Sequence, residues 1–407
     1  MQNGRIKSKN YSIFLTIFSA LFLFARTSLA TTYYVATTRS DTNPGTQAAP
    51  FQTIQKAGDV VNPGDTVLVG DGTYTDTNIA NVVVYVQKGG ISGNPVTFKS
   101  QNKWGAKVDL QTRGHGFFVV SQYIIIQDFE ITGGADILGA DGIFGDNGAF
   151  YLQVMGNHIH DISRICTDTA YGNCGIYIAN GVNHVTFEKN LIHDIGRYAP
   201  GEHGCSPSNG YYQHNDHGIY LDGGMDYTIR NNIFYKCNRG WAIHLYPHPI
   251  TNLSILNNTF AFPNPWRNGH IVIATSLSNS IIANNISYQA TTGFINSESA
   301  GSLANVQVNN NLTYPGTTSA NTPPSGITFS GNIDNTDPKL VNPTANDFHL
   351  QSNSPAINAG VSISSVTDDY DGVTRPQACC WDIGAYEYVS GGGDTTSPSP
   401  PRNLRTR

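Results

Sequence analysis

Nine side chains lie at fixed distances from a repeated asparagine and could do acid–base or anion-binding chemistry. The asparagines are Asn157, Asn190 and Asn232. Three, four and seven residues after each of them stands a side chain that is charged or can exchange a proton. The nine are His160, His193 and Tyr235, then Asp161, Asp194 and Lys236, then Arg164, Arg197 and Arg239. If successive repeats stack about 4.8 Å apart, three arginines repel one another unless each is paired or faces an anion. The arginines therefore indicate either ion pairs or a site for an acidic ligand.

Ion pairing within a turn is the simpler interpretation of any one aspartate and arginine. The pairs with suitable spacing are Asp161 with Arg164 and Asp194 with Arg197. Exposed pairs of this kind stabilise a fold by at most about 1 kcal/mol. The interpretation is adequate for one pair, but it does not account for three stacked arginines.

A second group of side chains follows on the next strand of each repeat. The segments GIYIA, DHGIYLDG and WAIHLYPH alternate with period two, so their isoleucines and leucines point inward. The side chains that alternation turns outward are Tyr177, Asp216, Tyr220, Asp222, His244 and Tyr246. His217 has inward parity, and a hydrogen-bonded core histidine is its simplest interpretation. The outward column of Tyr177, Tyr220 and His244 would suit the face of a sugar ring.

β-Elimination on a uronate sugar is the chemistry that such a column could perform. It needs one group to neutralise the C6 carboxylate, a base to remove the C5 proton and an acid to protonate the leaving oxygen. The candidates are Arg239 or Lys236 for the carboxylate, His244 or Tyr220 for the base, and Tyr220 or His217 for the acid. His244 with Tyr220 is the favoured pair. The predicted substrate contacts are Tyr177, Arg197, Asp216, His217, Asp222, Trp241 and Tyr246.

A calcium ion could replace the arginine as the electrophile, because carboxylate oxygens are its preferred ligands. The available carboxylates are Asp161, Asp194, Asp216 and Asp222. Asp161 and Asp194 are the predicted metal ligands, since both lie in the repeated columns. No other cofactor is expected.

Two lengthened loops lie beside the arginines. The next strand begins 11 residues after Arg164 and 21 residues after Arg197, but only 3 residues after Arg239. Loops that leave a regular repeat commonly form a binding cleft. The sequence therefore predicts a cleft at this corner, and His203 and His214 are expected to be ordinary loop histidines beside it.

The repeat itself predicts the architecture. Six asparagines end short apolar segments, and the last four are spaced by 26, 27 and 26 residues. They are Asn157, Asn190, Asn232, Asn258, Asn285 and Asn311. Each segment is too small to bury its apolar face alone, so the units must stack into a solenoid of parallel strands. The asparagines are expected to be structural, with side chains hydrogen-bonded from coil to coil at tight bends.

The two ends of the chain have their own composition. Residues 1–30 have a basic start, an apolar run and a small-residue site, which predict a secretory signal peptide. Residues 31–390 form the predicted domain, and 391–407 read as a Gly/Ser/Pro linker and the start of a truncated fibronectin-III-like module. After signal cleavage no segment is expected to span a membrane, so a secreted or cell-surface location follows.

The charge of the chain bears on its binding partners, and its cysteine content bears on its disulfides. A formal net charge of -6 and the lack of a basic arm argue against nucleic-acid binding, and a monomer is expected. Six cysteines in an exported chain favour disulfides. Cys166 and Cys174 are the favoured pair because they bracket one short insertion, while Cys237 is expected to be a buried thiol.

Residues 31–76 carry the motifs YYV, SDTNPGT, PFQTIQKA, PGDTVLV and GDGTY, with a short amphipathic helix near 51–57 that could cap the solenoid. In these motifs the chain resembles the secreted bacterial right-handed parallel β-helix proteins of the pectate-lyase-like superfamily. Residues 337–390, with NSPAINAG and WDIGAYEY, resemble their choice-of-anchor-type closing segment, although Cys379 and Cys380 depart from the small residues usual there. The resemblance implies an all-β, single-stranded right-handed parallel β-helix with an N-terminal capping helix.

Three functions remain open at this stage. The first is a polysaccharide lyase or related epimerase acting on an acidic, uronate-containing glycan. The second is a carbohydrate-binding or adhesive surface protein without catalysis, because the chain lacks the motifs of the superfamily's hydrolases and classical lyases. The third is a glycoside hydrolase, which needs two carboxylates about 5 to 9.5 Å apart; Asp216 and Asp222 lie roughly 20 Å apart on one strand.

Overall fold

A computed structural model describes residues 30–75, 81–134, 139–166, 171–206, 213–298 and 301–390. The predicted signal peptide, apart from Ala30, and the predicted linker fall outside these residues. Within them, almost every coil contributes one strand to each of three parallel sheets. The chain is a right-handed parallel β-helix, as predicted.

The strands, numbered in chain order, stack into sheets A, B and C. Sheet A holds β1 (Thr32–Val35), β2 (Thr66–Val69), β5 (Val96–Ser100), β8 (Ile124–Gln127), β11 (Gln153–Met155), β14 (Asn183–Glu188), β17 (Gly224–Arg230), β20 (Ile250–Leu256), β23 (Leu277–Ala283), β26 (Leu303–Asn309) and β29 (Ile327–Ser330). Sheet B holds β3 (Gly72–Tyr74), β6 (Ala106–Asp109), β9 (Glu130–Gly133), β12 (His158–Ile162), β15 (Leu191–His193), β18 (Ile233–Tyr235), β21 (Thr259–Ala261), β24 (Ile286–Tyr288) and β27 (Leu312–Tyr314). Sheet C holds β4 (Val82–Val86), β7 (His115–Val119), β10 (Asp141–Gly145), β13 (Cys174–Ile178), β16 (His217–Leu221), β19 (Ile243–Leu245), β22 (Ile271–Ile273), β25 (Gly293–Ser297) and β28 (Thr317–Ser319). The antiparallel pair β30 (Leu340–Asn342) and β31 (Asp347–Leu350) lies in the closing segment.

The core lies between the three sheets and is built from stacked identical positions. Phe234, Phe260 and Phe294 are fully buried, and the first two rings stack with centroids 4.9 Å apart. Full burial of such a side chain stabilises the fold by about 1.5–3 kcal/mol. Because every coil adds one apolar residue from each sheet, the core continues along the solenoid.

The asparagine ladder is structural, as predicted. All six predicted asparagines are fully buried, and Asn332 extends the ladder by one coil. From Asn190 onward, each amide oxygen accepts from the backbone N–H and the side-chain amide of the preceding asparagine; from Asn190 to Asn232 both distances are 2.9 Å. The side-chain amide of Asn232 also donates to the carbonyl of Phe187 at 2.9 Å. Buried backbone groups at the bend are thus satisfied by side chains.

Two columns of left-handed residues form corners of the coil. The residue before each ladder asparagine has φ between 50° and 65°, so the bend comes one position before the ladder itself. The second column has φ between 49° and 62°. It contains Asp161, Asp194 and Lys236, the residues four positions after a ladder asparagine. Since short polar residues tolerate this conformation, a corner role accounts for the two aspartates.

The capping helix α1 (Ile54–Gly58) lies beside the first strand of sheet C, as predicted from the sequence. Thr53 begins it by accepting a hydrogen bond from the backbone N–H of Lys56 at 3.1 Å. The Gln55 amide oxygen accepts from the backbone N–H of Tyr85 at 2.6 Å, which satisfies a donor at the edge of β4. In the described part of the chain, 3₁₀ turns are found at Glu202–Gly204 and Pro343–Ala345. Within the described residues, none of the helices has the length and apolarity to cross a membrane.

The closing segment, 337–390, packs along the outer face of sheet B. Phe348, Tyr370 and Tyr386 share a buried apolar cluster with residues of β18, β21, β24 and β27. The buried pair Arg375 and Glu387, 2.8 Å apart, holds the segment's own turns together. The closing segment thereby covers the outer face of sheet B in the later coils.

His349 joins two parts of this segment and makes its stability depend on pH. Its ring nitrogens lie 2.6 Å from Asp347 Oδ1 and 2.9 Å from Asp371 Oδ2. Burial lowers the pKa of His349, but the two carboxylates outweigh burial and raise its pKa to about 9.

We expect the stabilising contribution of the His349 cation to be complete below the ordinary histidine pKa of about 6.5 and to be lost as the pH rises through 9. Thermal midpoints measured from pH 6 to 10 should therefore fall less steeply in His349→Gln than in the wild type. His184→Gln is the control, since its side chain is partly exposed on sheet A. Identical pH profiles for wild type and His349→Gln would refute this prediction.

Candidate functional site

A column of glycines shapes the outer face of sheet C. The strands β7, β10, β13 and β16 each have glycine as their second residue: Gly116, Gly142, Gly175 and Gly218. A Cβ atom at Gly142 would lie 2.6 Å from the carbonyl oxygen of Gly175, and the other three have equally close contacts to the next coil. Only glycine fits, so the coils approach one another closely at this level.

The glycines interrupt the alternation of side chains. The residues before them stack in register as His115, Asp141, Cys174 and His217. Three positions after this column stands a second one, made of Phe118, Phe144, Tyr177, Tyr220 and His244. Strict alternation would place the two columns on opposite faces, yet members of both line one groove. The inward parity predicted for His217 therefore fails, because the alternation of side chains is not kept across Gly218.

The groove has a volume of about 770 Å³ and crosses several coils of sheet C. Its floor is the aromatic column, with centroids 4.9 Å apart from Phe144 to Tyr177 and 5.0 Å from Tyr220 to His244. The predicted site residues that line it are Tyr177, His217, Tyr220, Trp241, His244 and Tyr246. The lining residues that were not assigned a role from the sequence include His115, Asp141, His214, Arg267 and Glu298.

His244 ends a chain of hydrogen bonds that fixes its tautomer. The backbone N–H of Trp241 donates to His217 Nδ1 at 3.2 Å, so the proton of neutral His217 is on Nε2. That nitrogen donates to His244 Nδ1 at 2.9 Å, which leaves the proton of His244 on Nε2. Burial and the neighbouring His214 lower the pKa of His244 to about 3. His244 is thus a neutral ring that offers an N–H, and not the free lone pair that a base requires.

Tyr220 is a phenol that stays protonated. Burial, and then the charge of Asp222, raise the pKa of Tyr220 far above its usual value. Asp222 itself accepts from the Tyr177 hydroxyl at 3.1 Å and contacts His248 Nδ1 at 2.8 Å. Asp222 therefore braces the tyrosine column from beside the groove, where it keeps Tyr220 in the form of a proton donor.

Asp141 supplies a carboxylate to the groove floor. It lies 3.3 Å from His115 Nδ1, and burial raises its pKa above the usual aspartate value. Arg267 and His214 stand on the wall, joined by a 3.2 Å hydrogen bond from the guanidinium. Asp141 was missed because alternation assigns its position to the interior. The repeated pattern of a polar residue, glycine and two apolar or aromatic residues in HGFF, DGIF and HGIY was the signal that could have revealed it.

Two predicted substrate contacts, Arg197 and Asp216, are wrong. Both are fully buried, with Arg197 Nε 2.8 Å from Asp216 Oδ2 and Nη2 2.8 Å from Oδ1. Asp216 also accepts from the backbone and side-chain nitrogens of Asn173, at 3.0 and 2.9 Å. A paired, fully satisfied buried ion pair holds the two loops in place and cannot meet a ligand.

The predicted catalytic cations Arg239 and Lys236 also lie away from the groove. Arg239 is 3% exposed, and its Nη2 lies 2.7 Å from both carboxylate oxygens of Glu202. Lys236 is exposed at the corner after β18, on the sheet B side of the coil. Among the described residues that line the groove, Arg267 is the only lysine or arginine.

The aspartates predicted to hold calcium do not form a carboxylate cage. Asp161 Oδ2 accepts from His160 Nδ1 at 2.8 Å, and Asp194 Oδ2 from His193 Nδ1 at 2.8 Å. Asp194 was paired with Arg197 in the prediction, but Arg197 bonds Asp216 instead. Both aspartates therefore orient histidines on sheet B.

A disulfide joins the two lengthened loops. It links Cys166 to Cys205, with Cα atoms 5.3 Å apart, so the predicted pairing of Cys166 with Cys174 is wrong. Cys174 is buried at the start of β13, in register with Asp141 and His217, and the strand holds its thiol on the groove floor. Cys237 is a buried thiol, as predicted.

Comparison with known proteins agrees with this geometry. A family model described as a Pel9A-like right-handed β-helix region matches residues 33–238, about half of the chain, and a general right-handed β-helix model matches 203–351. The uncharacterized protein YwoF of Bacillus subtilis (strain 168) is 22% identical over 331 residues, covering 64% of this chain and 69% of that protein.

Two solved structures share the architecture. Pectate lyase Pel9A superposes with a TM-score of 0.60 at 18% identity, covering 89% of this chain and 97% of that one. An alginate lyase from Paenibacillus sp. str. FPU-7 gives a TM-score of 0.51 at 16% identity, covering 69% of this chain and 92% of that one.

The fold is a right-handed parallel β-helix, the architecture shared with pectate lyase Pel9A. The chain belongs to the Pel9A-like right-handed β-helix family.

Proposed function

We propose that this protein is a carbohydrate-active enzyme that cleaves a uronate-containing polysaccharide by β-elimination in the groove of sheet C. The observation that carries the proposal is the meeting of a protonated phenol, a neutral imidazole N–H and a carboxylate of raised pKa on one aromatic floor. These groups belong to Tyr220, His244 and Asp141. The lyases among the structural neighbours favour the same reaction class.

The floor suits a polysaccharide more than a small molecule. The part of the aromatic column that lines the groove, from Phe144 to His244, crosses four coils, or roughly 14 Å at the spacing of parallel strands. Aromatic rings along this length can each contact the apolar face of a sugar. A chain of several sugars would therefore lie across the strands.

The three tasks of the elimination have candidates within this groove. Asp141 is the proposed base, because a carboxylate of raised pKa accepts the C5 proton more readily. Tyr220 is the proposed acid, since its phenol stays protonated until the leaving oxygen develops charge. The two residues lie two coils apart and are offset by three positions along the strand, so their Cα atoms are roughly 14 Å apart, with the Tyr177 coil between them for the reacting sugar.

The remaining donors would stabilise the charge that develops on the C6 carboxylate. His244 would donate its Nε2–H as a neutral group, and Arg267 would contribute the positive charge from the wall. His217 and Trp241 act as positioning residues, because they fix the tautomer of His244. This assignment gives His244 the role of donor in place of base.

Hydrolysis fits the groove less well. Asp141 and Glu298, the carboxylates among the described lining residues, are five strands apart in sheet C, roughly 24 Å. Asp222 lies roughly 19 Å from Asp141 by the same spacing. Glycosidases need two carboxylates about 5 to 9.5 Å apart. Binding without catalysis is the second candidate, because an aromatic floor with one arginine could hold a glycan and do nothing further.

A polysaccharide panel tests the proposal. Wild-type protein would be incubated with pectate, alginate, glucuronan and chondroitin, and with neutral xylan and arabinan as controls. We expect ultraviolet absorbance from a new carbon–carbon double bond with at least one acidic polymer and none with the neutral ones. Affinity electrophoresis on the same polymers separates the alternatives. Binding without absorbance would favour the non-catalytic function, and new reducing ends without absorbance would favour hydrolysis.

A further inference from the structure

Three histidines meet on the outer face of sheet B, away from the groove of sheet C. His158 and His160 are two residues apart on β12, and His193 stands beside His160 on β15. Because Ile159 and Ile192 point into the core, all three rings turn to the same outer face. Nothing in the proposed elimination uses this cluster.

The ring nitrogens are close enough to share one ion. His158 Nε2 lies 2.8 Å from His193 Nε2, and one nitrogen from each of the three rings lies within 4.8 Å of the others. The Glu130 carboxylate on β9 lies 3.4 Å from His160 Nε2. In a tetrahedral zinc site, with bonds of about 2.0–2.1 Å, neighbouring ligand atoms are about 3.4 Å apart. The observed separations reach this arrangement with small side-chain shifts.

Two aspartates prepare the histidines as ligands. His160 Nδ1 and His193 Nδ1 donate to Asp161 and Asp194, each at 2.8 Å. In the neutral form of each ring the proton is therefore on Nδ1, and the Nε2 lone pair faces the cluster. A carboxylate on the far nitrogen of a ligating histidine is the usual support of metal sites, where it fixes the ring and raises its basicity.

One buried nitrogen of the cluster has no protein hydrogen-bond partner. His160 Nε2 is shielded from solvent and has no hydrogen-bond partner within the described residues, although Glu130 Oε1 lies 3.4 Å from it. A buried polar atom left in this way costs about 1–3 kcal/mol unless something binds it. A metal ion between Glu130 and the three rings would satisfy it.

The surroundings would hold such a site rigidly. Trp104 packs on His158 with ring centroids 4.8 Å apart, and Tyr235 stacks on His193 at 4.3 Å. Lys107 lies 3.5 Å from Glu130, and Arg164 Nε lies 3.9 Å from Asp161 Oδ1. The three carboxylates of Glu130, Asp161 and Asp194 outnumber these two cations.

We propose that His158, His160, His193 and Glu130 bind one divalent transition-metal ion of the zinc class. A ligand set with three imidazole nitrogens suits zinc, nickel and copper, whereas calcium prefers oxygen ligands alone. The site would tie the neighbouring coils of β9, β12 and β15 together beside the closing segment. It is independent of the elimination proposed for sheet C.

Zinc binding by the untagged protein tests this site. After dialysis against a chelator, we expect calorimetry with Zn²⁺ to give one ion per chain, and Co²⁺ to give the visible absorption of a four-coordinate ion. His160→Ala and His193→Ala should each weaken Zn²⁺ binding about 100-fold or more. Asp161→Asn and Asp194→Asn should weaken it about 10- to 100-fold, because the rings lose their orientation without losing a ligand.

The matched control is His184→Ala, which removes a partly exposed histidine on sheet A and should bind Zn²⁺ as the wild type does. Circular dichroism confirms the fold of each variant, and the aspartate variants keep the test valid if a histidine variant fails to fold. Absence of Zn²⁺ binding by the wild type would overturn the proposal, and so would wild-type affinity in His160→Ala. Since the readout is metal binding, a lack of lyase activity would leave this result unaffected.

Discussion

Replacing Asn232 with alanine is expected to lower the free energy of unfolding by about 5 kcal/mol. The side chain of Asn232 accepts from the backbone and side-chain nitrogens of Asn190 and donates to Phe187 and Asn258. Its removal leaves several buried polar groups without partners, and each costs about 1–3 kcal/mol. No water can reach these groups, because the ladder is fully buried.

Urea unfolding followed by circular dichroism measures this effect. Asn147→Ala is the matched control, since Asn147 is exposed and outside the ladder, and it should change the free energy of unfolding by less than about 0.5 kcal/mol. If Asn232→Ala proved as stable as the control, the buried asparagine hydrogen bonds would not be what holds the coils together.

Replacing Tyr220 with phenylalanine is expected to lower kcat about 100- to 10,000-fold on the uronate polymer that the panel identifies, with little change in KM. The change removes the hydroxyl that protonates the leaving oxygen but keeps the ring that stacks on the sugar. Because Tyr220 acts in the transition state, its loss should appear in kcat and not in ground-state binding.

Tyr151→Phe is the matched control, because Tyr151 is an exposed tyrosine beside sheet A that stacks on Tyr123 at 4.4 Å. It should retain wild-type kcat. A Tyr220→Phe variant with full activity would remove the phenol from the mechanism, whereas a rise in KM alone would reduce Tyr220 to a binding residue.

The architecture could be predicted because it depends on the sequence spacing of asparagines and apolar residues within each coil. The asparagine interval sets the length of a coil, and one apolar residue per strand sets the core, so neither depends on distant contacts. The placement of Tyr177, Tyr220 and His244 in one column also followed from the repeat. The constant number of residues per coil is sufficient to predict features that recur in every coil.

The errors arose where inserted loops interrupt the regular coil length. Arg197 finds Asp216 across the long loop, and Arg239 finds Glu202 in the same loop, so partners came from insertions that spacing cannot position. The disulfide partner Cys205 came from the same insertion. In each case the contact is tertiary, and the repeat carries no information about it.

The glycine column and the histidine cluster show a second limit of prediction from sequence, which concerns the direction and the role of side chains. Alternation predicts that His217 faces inward, but alternation is not kept across the glycine column, and His217 and Asp141 line the groove. His160 and His193 were recognised as a column, yet their aspartates were taken as the ligands. Only side-chain geometry shows that the aspartates orient the rings.

Product analysis in heavy-oxygen water tests the central claim most directly. The wild-type protein would digest its uronate polymer in this solvent, and mass spectrometry would follow the fragments. The proposed elimination predicts fragments with a terminal double bond and no oxygen taken up from the solvent during cleavage. Incorporation of one heavy oxygen per cleaved bond would identify hydrolysis and contradict the mechanism built on Asp141, Tyr220 and His244.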